Sequence, residues 1–339
     1  MEKKNNNTPK YILLYNAIKK DIKEGVIKPG EKLMSEPQLM KKFGLARMTV
    51  RNALSMLSNE GLIERHHGKG TFCKSNVRSK TVDVLLDMSD HYFLSYNLQG
   101  ISKVMEEFNA TMITCDTKNS NDEILRLLRE ILKRGSDGVI VESSPMGEVD
   151  KDSLKEILAE LSEKGIPYVF YGYLYDIPGI NFVAMDEVEI GRQAGIYLKD
   201  RGHKNISAVL FKNSGLSNQR LEGFREIMGE VNCIYADEQM YDNLSKAIDE
   251  KTTAFFCFND AVAQRCIDFL REKGMSVPDD ISVISVDDTI IASAYNITSV
   301  AHAKCEGSEY AARQVISGKP KSKLFLSEIT ERNSVKNIL

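Results

Sequence analysis

Apolar residues fall in two different rhythms along this 339-residue chain. Near the start they recur at helical spacing. "KYILLYNAIKKDIKEG" places Ile12, Tyr15, Ile18 and Ile22 on one face of a helix that Gly25 ends. "SEPQLMKKFG" predicts a short second helix, with Ser35 as N-cap, Pro37 in the first turn and Gly44 as the residue that closes it. A third helix is expected from about Ala46 to Asn59, with Leu54 and Leu57 on its apolar side and Gly61 as its stop. "LIERHHGKGTFC" reads as two short strands about a turn. Three short helices followed by a hairpin predict an α+β winged helix-turn-helix.

The rhythm changes after the polar stretch "CKSNVRSK". "TVDVLLDM", "ATMITCDT", "SDGVIVES" and "IPYVFYGYL" are nearly continuous apolar runs, as in parallel strands buried on both faces. Helical segments separate them, among them "NDEILRLLREILKRG", for which Asn121 is the expected cap. A second alternating set runs from "EIGRQAGIYLKDRGHKNISAVLFK" to "ISVISVDDT". This is doubly wound α/β, and its two halves suggest two lobes with a cleft between them. The expected division is a head at 1–75, a linker at 76–80 and a two-lobed domain at 81–339. Its first lobe would take about 81–175 and 303–325, its second about 176–302 and 326–339.

Charge sharpens this division. Residues 1–75 hold 15 Lys and Arg against 7 Asp and Glu, whereas the remainder holds 30 against 41. A basic head on an acidic body points to a polyanion as the partner of the head. No run of 18 apolar residues occurs, so no membrane span is expected, and "MEKKNNNTPKY" has no apolar signal core. The six Cys are scattered without a CxxC pair, which implies reduced thiols, a cytoplasmic protein and no zinc site. No dinucleotide, P-loop or nucleophile-elbow motif is present and the five His are dispersed, so neither an enzyme nor a cofactor is expected.

The candidate chemistry lies in two places. Arg47 and Arg51, four residues apart, share a face at the start of the third helix, where the helix dipole disfavours positive charge. DNA phosphates or base edges would offset that, with Thr49 as a further hydrogen-bonding group and the hairpin tip against the backbone or minor groove. The alternative is a solvated face paired with nearby Glu. In the α/β domain, polar residues follow directly after apolar strands, where ligands of open α/β sheets bind. Asn259, Asp287 and Arg220 suit a hydroxyl-rich ligand by offering donors and acceptors in fixed directions. Phe93, with Tyr92 and Tyr96, can cover a sugar's C–H face or simply pack, and Glu142 enters by its strand-end position. Asp260 and Asp288 read as helix caps, and His203 as a structural turn residue.

These segments resemble known families. The Gly25-x-x-x-Pro29-Gly30 turn, the Ser35-Glu36 pair, Arg47-x-Thr49-Val50-Arg51 and Gly68-x-Gly70-Thr71-Phe72 closely resemble the GntR-family DNA-binding domain. The resemblance implies that Arg47, Thr49, Arg51, His67, Gly68 and Lys69 contact operator DNA. Ala46 and Pro37 depart from the usual Ser or Thr and Arg, which would shift phosphate contacts toward Lys41 and Lys42. "SDGVIVES", "QRLEGF", "AFFCFNDAVA", "KGMSVPDDISVISVDD" and "ITSVAH" resemble the effector domain of the lac/galactose repressor class, itself similar to periplasmic sugar-binding proteins. That implies a homodimeric, ligand-responsive repressor in which Arg220, Asn259, Asp287 and His302 bind the effector. The pairing of these two parts is similar to the arabinose repressors of Gram-positive bacteria, which implies L-arabinose as effector. Another sugar, or a purine acting as corepressor, is the alternative.

Overall fold

The computed structural model describes residues 9–23, 26–66, 68–74, 79–89, 93–173 and 175–339. Its contacts divide the chain into two units, Met1–Ser79 and Lys80–Leu339.

The first unit runs α1 (Lys10–Lys23), α2 (Glu36–Phe43), α3 (Arg47–Asn59), β1 (Ile63–His66) and β2 (Gly70–Cys73). Ser35 precedes α2, its backbone N–H donating to Gln38 Oε1 at 2.8 Å, and Gly44 ends the helix at φ 62°. β1 and β2 pair antiparallel, and Lys32 adds a bridge to Phe72. The core joins Leu14, Tyr15 and Ile18 to Val50, Ala53, Leu54 and Leu57. Leu14 is buried where Ile12 was expected, and Ile12 is only partly covered. Lys19, buried one turn beyond Tyr15, meets Tyr15 Oη at 2.7 Å and Glu60 Oε2 at 3.2 Å. This tie fastens α1 to the end of α3.

The second unit begins with β3 (Thr81–Leu86), α4 (Leu94–Phe108), β4 (Thr111–Asp116), α5 (Asn121–Arg134), β5 (Gly138–Ser143), α6 (Lys151–Glu163), β6 (Tyr168–Gly172) and β7 (Phe182–Met185). It continues with α7 (Glu187–Lys199), β8 (Ile206–Leu210), α8 (Gly215–Met228), β9 (Asn232–Tyr235), α9 (Met240–Asp249), β10 (Ala254–Cys257) and α10 (Asp260–Glu272). It ends with β11 (Ser282–Asp287), α11 (Ile290–Tyr295), β12 (Thr298–Ala301), α12 (Lys304–Ser317), β13 (Lys323–Phe325) and β14 (Ile329–Thr330). Two six-stranded sheets result, ordered β13-β7-β6-β5-β3-β4 and β14-β12-β11-β10-β8-β9. All pairings are parallel except β12 with β14. Helices cover both faces, which explains the continuous apolar strands. The chain crosses between the sheets after β7, after β12 and after β13. Strand β7 pairs with β6 and β13, so the first lobe reaches Met185 rather than ending near 175. The cap of α5 is Ser120, whose side chain accepts from Glu123 N–H. Asn121 is instead buried, its side chain joined to Met146 O and Tyr175 Oη.

Helices α7 and α8 lie in unusually close contact because glycines face the opposing backbone. A Cβ at Gly191 would fall 1.9 Å from Arg220 O, and one at Gly223 would fall 1.8 Å from Val188 O. The two helices carry Glu187 and Arg220 at this approach. Gly223→Ala is therefore expected to cost about 1–3 kcal/mol by overpacking, read as a lowered melting temperature. An unchanged melting temperature would show that the helices separate without cost.

Candidate DNA interface and effector site

In the head, Arg47 and Arg51 project from the first turns of α3 with side chains 66% and 51% exposed. Both reach the carboxylate of Glu36, at 3.6 Å and 3.3 Å. The pairing with a nearby Glu thus exists, but exposed ion pairs contribute only about 0–1 kcal/mol, so phosphates can compete for the guanidinium groups. Thr49 is half-buried on the other flank. Gly68 and Lys69 form the exposed tip of the hairpin, where Lys69 N–H donates to His66 O at 3.0 Å and Gly68 and Gly70 hold φ of 72° and 116°. His66 turns back onto its own strand, edge-on to Phe72 and 3.0 Å from Glu64. His67 lies outside the described residues. Lys41 and Lys42 are exposed in the last turn of α2.

In the second unit a cavity of about 350 Å³ opens between the lobes, at the carboxyl ends of both sheets. Arg220, Asn259, Asp287, His302, Phe93 and Glu142 all line it; Tyr92 lies outside the described residues. Arg220 is 2% exposed. Its Nε donates to Glu187 Oε2 at 2.6 Å, another guanidinium nitrogen donates to Phe258 O, and its plane stands 4.5 Å from the Phe258 ring centre. Asp287 Oδ1 is 4.0 Å from Arg220 Nη2, and His302 Nε2 is 3.7 Å from Glu187 Oε1. Phe93 meets the His302 ring edge-on at 5.2 Å.

The two buried carboxyls behave oppositely. Burial tends to raise Glu187, but Arg220 and His302 outweigh it and hold the group at about 2. Burial pushes Asp287 up to about 7, against the weaker pull of Arg220 and His302. Asp287 also sits at φ 102° and Asp288 at 51°, backbone values that L residues rarely adopt and that concentrate at functional sites.

The neighbouring polar residues divide into supports and free walls. Asn259 caps α10, its Oδ1 accepting from Val262 N–H at 2.9 Å, so its amide nitrogen is the part suited to a ligand. The cap therefore falls on Asn259, not on Asp260. Asp260 is fully buried and accepts from Ser285, Ser299 (2.8 Å) and both the N–H and hydroxyl of Thr289 (2.7 and 2.9 Å). Thr289, not Asp288, caps α11, while Asp288 binds Arg332 at 2.6 Å and faces Lys304 at 3.6 Å. Glu142 accepts from Asp87 N–H at 2.8 Å and Asn97 Nδ2 at 3.1 Å, and so orders one wall. Asn97 Oδ1, Ser143 Oγ and His302 Nδ1 are buried without a hydrogen-bond partner among the described residues, and all three residues line the cavity. His203, as expected, is structural, 3.0 Å from both Thr253 Oγ1 and Lys336 O.

At the outer edge of the cleft the lobes touch through main chain. Gly215 N–H donates to Pro145 O at 2.8 Å and Gly147 N–H to Asn213 O at 3.2 Å, so Met146 and Ser214 form a bridge over the cavity. Glu187, Asn97, Phe258 and Lys304 were missed in the sequence. "FVAMDE" carries the same strand-end signal as "CFND", so Glu187 was within reach of that reasoning. Asn97 lies within α4, where no such signal exists, and Lys304 opens α12 three residues after β12.

A winged head and a two-lobed small-molecule domain define a class, the ligand-responsive transcriptional regulators. The model of the bacterial regulatory proteins of the gntR family matches residues 10–73, and that of the periplasmic binding protein-like domain matches residues 196–335. The chain is 30% identical over 335 residues to the arabinose metabolism transcriptional repressor of Halalkalibacterium halodurans, covering 91% of this chain and 88% of the relative. The repressor of that name from Geobacillus stearothermophilus is 29% identical over 366 residues, covering 99% and 100%. A LacI family transcriptional regulator from Enterococcus faecium, solved with bound ribose, has a TM-score of 0.65 at 23% identity, covering 77% of this chain and 100% of that one. The chain belongs to the family of arabinose metabolism transcriptional repressors, in which a gntR-type head is joined to a periplasmic-binding-protein-like domain.

One expected outcome concerns pH. With Asp287 raised to about 7 against an ordinary 3.8, the folded state binds its proton first as pH falls. This group's contribution to stability therefore rises as pH drops through 7 and is lost again on returning above it. Wild type should gain melting temperature relative to Asp287→Asn between pH 8 and pH 5. Parallel profiles would place the Asp287 carboxyl in its ordinary range.

Proposed function

We propose that this repressor responds to a sugar, and that L-arabinose is the effector that lowers its affinity for operator DNA. The observation that carries the reading is the cavity wall. Fixed donors and acceptors from Arg220, Asn259 and Asp287 face the same space as the buried, unpartnered atoms of Asn97, Ser143 and His302. The Phe93 ring supplies an apolar surface beside them. A pentose presents that complement: hydroxyls around its rim that both donate and accept, and C–H faces that pack on aromatic rings. The size falls within the range of small-molecule pockets, about 300–1,000 Å³. The names of the two repressor relatives supply arabinose as the particular sugar.

In this reading Asp287 is ionised when it accepts from hydroxyls, and Glu142, which lines the cavity, faces the sugar and orders Asn97 beside it. The protein acts in the cytoplasm as a homodimer, placing two heads on a pseudo-palindromic operator. Arg47, Thr49 and Arg51 contact DNA from the recognition helix, and Gly68 and Lys69, with His67, from the wing. The sugar bridges the lobes and favours one lobe arrangement; it shifts DNA affinity only by its differential affinity for the two states. A coupling of about 1–3 kcal/mol corresponds to a roughly 5–150-fold change in operator affinity.

Two outcomes test this. L-arabinose at about 100 times its dissociation constant should add about 2.7 kcal/mol of stability, or about 5–10 °C in a domain of this size. D-ribose, D-galactose and purines should give smaller shifts; a larger one with a purine would replace the sugar reading. Arg51→Ala should weaken operator binding by about 1–3 kcal/mol while leaving the sugar shift intact. Unchanged DNA binding would remove Arg51 from the interface.

A further inference from the structure

The exposed face of the recognition helix is not centred on its arginines. Successive residues of an α-helix are turned by about 100°. The buried side of α3 is set by Val50, Ala53 and Leu57 at 0% exposure and Leu54 at 1%. The direction opposite their mean passes through Met48, between Ser55 and Asn52. All three are exposed, and Met48 is a large apolar residue at 65% exposure on an otherwise polar surface. Arg47 and Arg51 lie on the flank toward α2, where Glu36 engages both. Thr49 lies on the opposite flank.

We propose that Met48 and Asn52 determine base specificity, Asn52 by reading an adenine and Met48 by reading the methyl group of a thymine close by in the same half-site. This rests on the reading of the head as a DNA-binding unit. When the N-terminal part of α3 enters the major groove, the side chains at the middle of its outer face meet the groove floor, and those on the flanks meet the walls. The carboxamide of Asn offers a donor and an acceptor side by side, the complement of adenine N7 and N6. Met offers no strong hydrogen bond, but it is flexible and polarizable, and the thymine C5 methyl is the apolar group that the groove floor presents. Met48 and Asn52 stand one helical turn apart, about 6 Å along the axis, so their targets lie within about two base-pair steps of about 3.4 Å. The arginines, half-neutralised by Glu36, are left to the phosphates and the bases at the groove edge. A search of the sequence for positive charge passes over both residues.

The test uses the full chain. Preferred duplexes are first selected from a random-sequence pool. Each thymine of the recovered half-site is then replaced by uracil, which lacks the methyl group, and each adenine by 7-deazaadenine, which lacks N7. Wild type, Met48→Ala, Met48→Leu and Asn52→Ala are compared on each duplex. One uracil is expected to weaken wild type about three- to fivefold, the worth of one buried methyl. It should weaken Met48→Leu similarly and leave Met48→Ala unaffected. One 7-deazaadenine should weaken wild type about fivefold or more and leave Asn52→Ala unaffected. Losses that simply multiply at every position, in variants with unchanged melting temperature, would overturn the proposal while leaving the head a DNA-binding unit. Failure to enrich any duplex would overturn both.

Discussion

The sensor domain depends on holding one guanidinium group out of water. Arg220 at 2% exposure would cost several kcal/mol without a partner. Glu187 supplies that partner at 2.6 Å, and the Phe258 carbonyl and ring complete its surroundings. The approach is possible because Gly191 and Gly223 let the backbones of α7 and α8 nearly touch. Glu187 takes most of the cation's field and is held at about 2, whereas Asp287, at 4.0 Å, receives too little to offset its burial and rises to about 7. One buried pair thus creates a second carboxyl poised near neutrality at the wall of a cavity, where hydroxyl donors can stabilise its charged form.

The same pair lies where the lobes join. Glu187 begins α7 two residues after the end of β7, at the first crossing between sheets. His302 follows β12 at the second crossing and faces Glu187, and Phe325 ends β13 at the third and lines the cavity. A ligand against Asp287, His302 and Phe93 therefore touches both lobes and the segments that join them. The main-chain bridge between Met146 and Ser214 closes the far edge. In the proposed reading such a ligand would couple binding to lobe arrangement through shared atoms, which is the physical content that a population shift requires.

Much of this was legible in the sequence, for stated reasons. Helix spacing, the Gly44 stop and the Gly-Lys-Gly turn define the winged head, and continuous apolar strands define the parallel sheets. Asn259 and Asp287 stand out because parallel strands deliver their end residues to one rim, whereas Arg220 reaches the same cavity from within α8. Local chemistry does not decide every position. "FND" permits a cap at either Asn259 or Asp260, and only the hydroxyls of Ser285, Thr289 and Ser299, distant in sequence, decide that Asp260 turns inward. Likewise β7 belongs to the first sheet because of its partners β6 and β13, the latter some 140 residues away, which no local pattern reveals. In the head, the burial of Val50, Ala53, Leu54 and Leu57 leaves Met48 at the middle of the exposed face of α3, a placement that charge alone does not reveal.

The most direct measurement is calorimetric titration of the protein with L-arabinose near neutral pH, in buffers of different ionisation enthalpy. If Asp287 must be ionised to accept from the sugar, binding releases a proton from that fraction of molecules in which it is protonated. The account predicts a release that is small at pH 8 and grows toward pH 6, and that disappears in Asp287→Asn. Binding without pH-dependent proton release, or no binding at all, would contradict it.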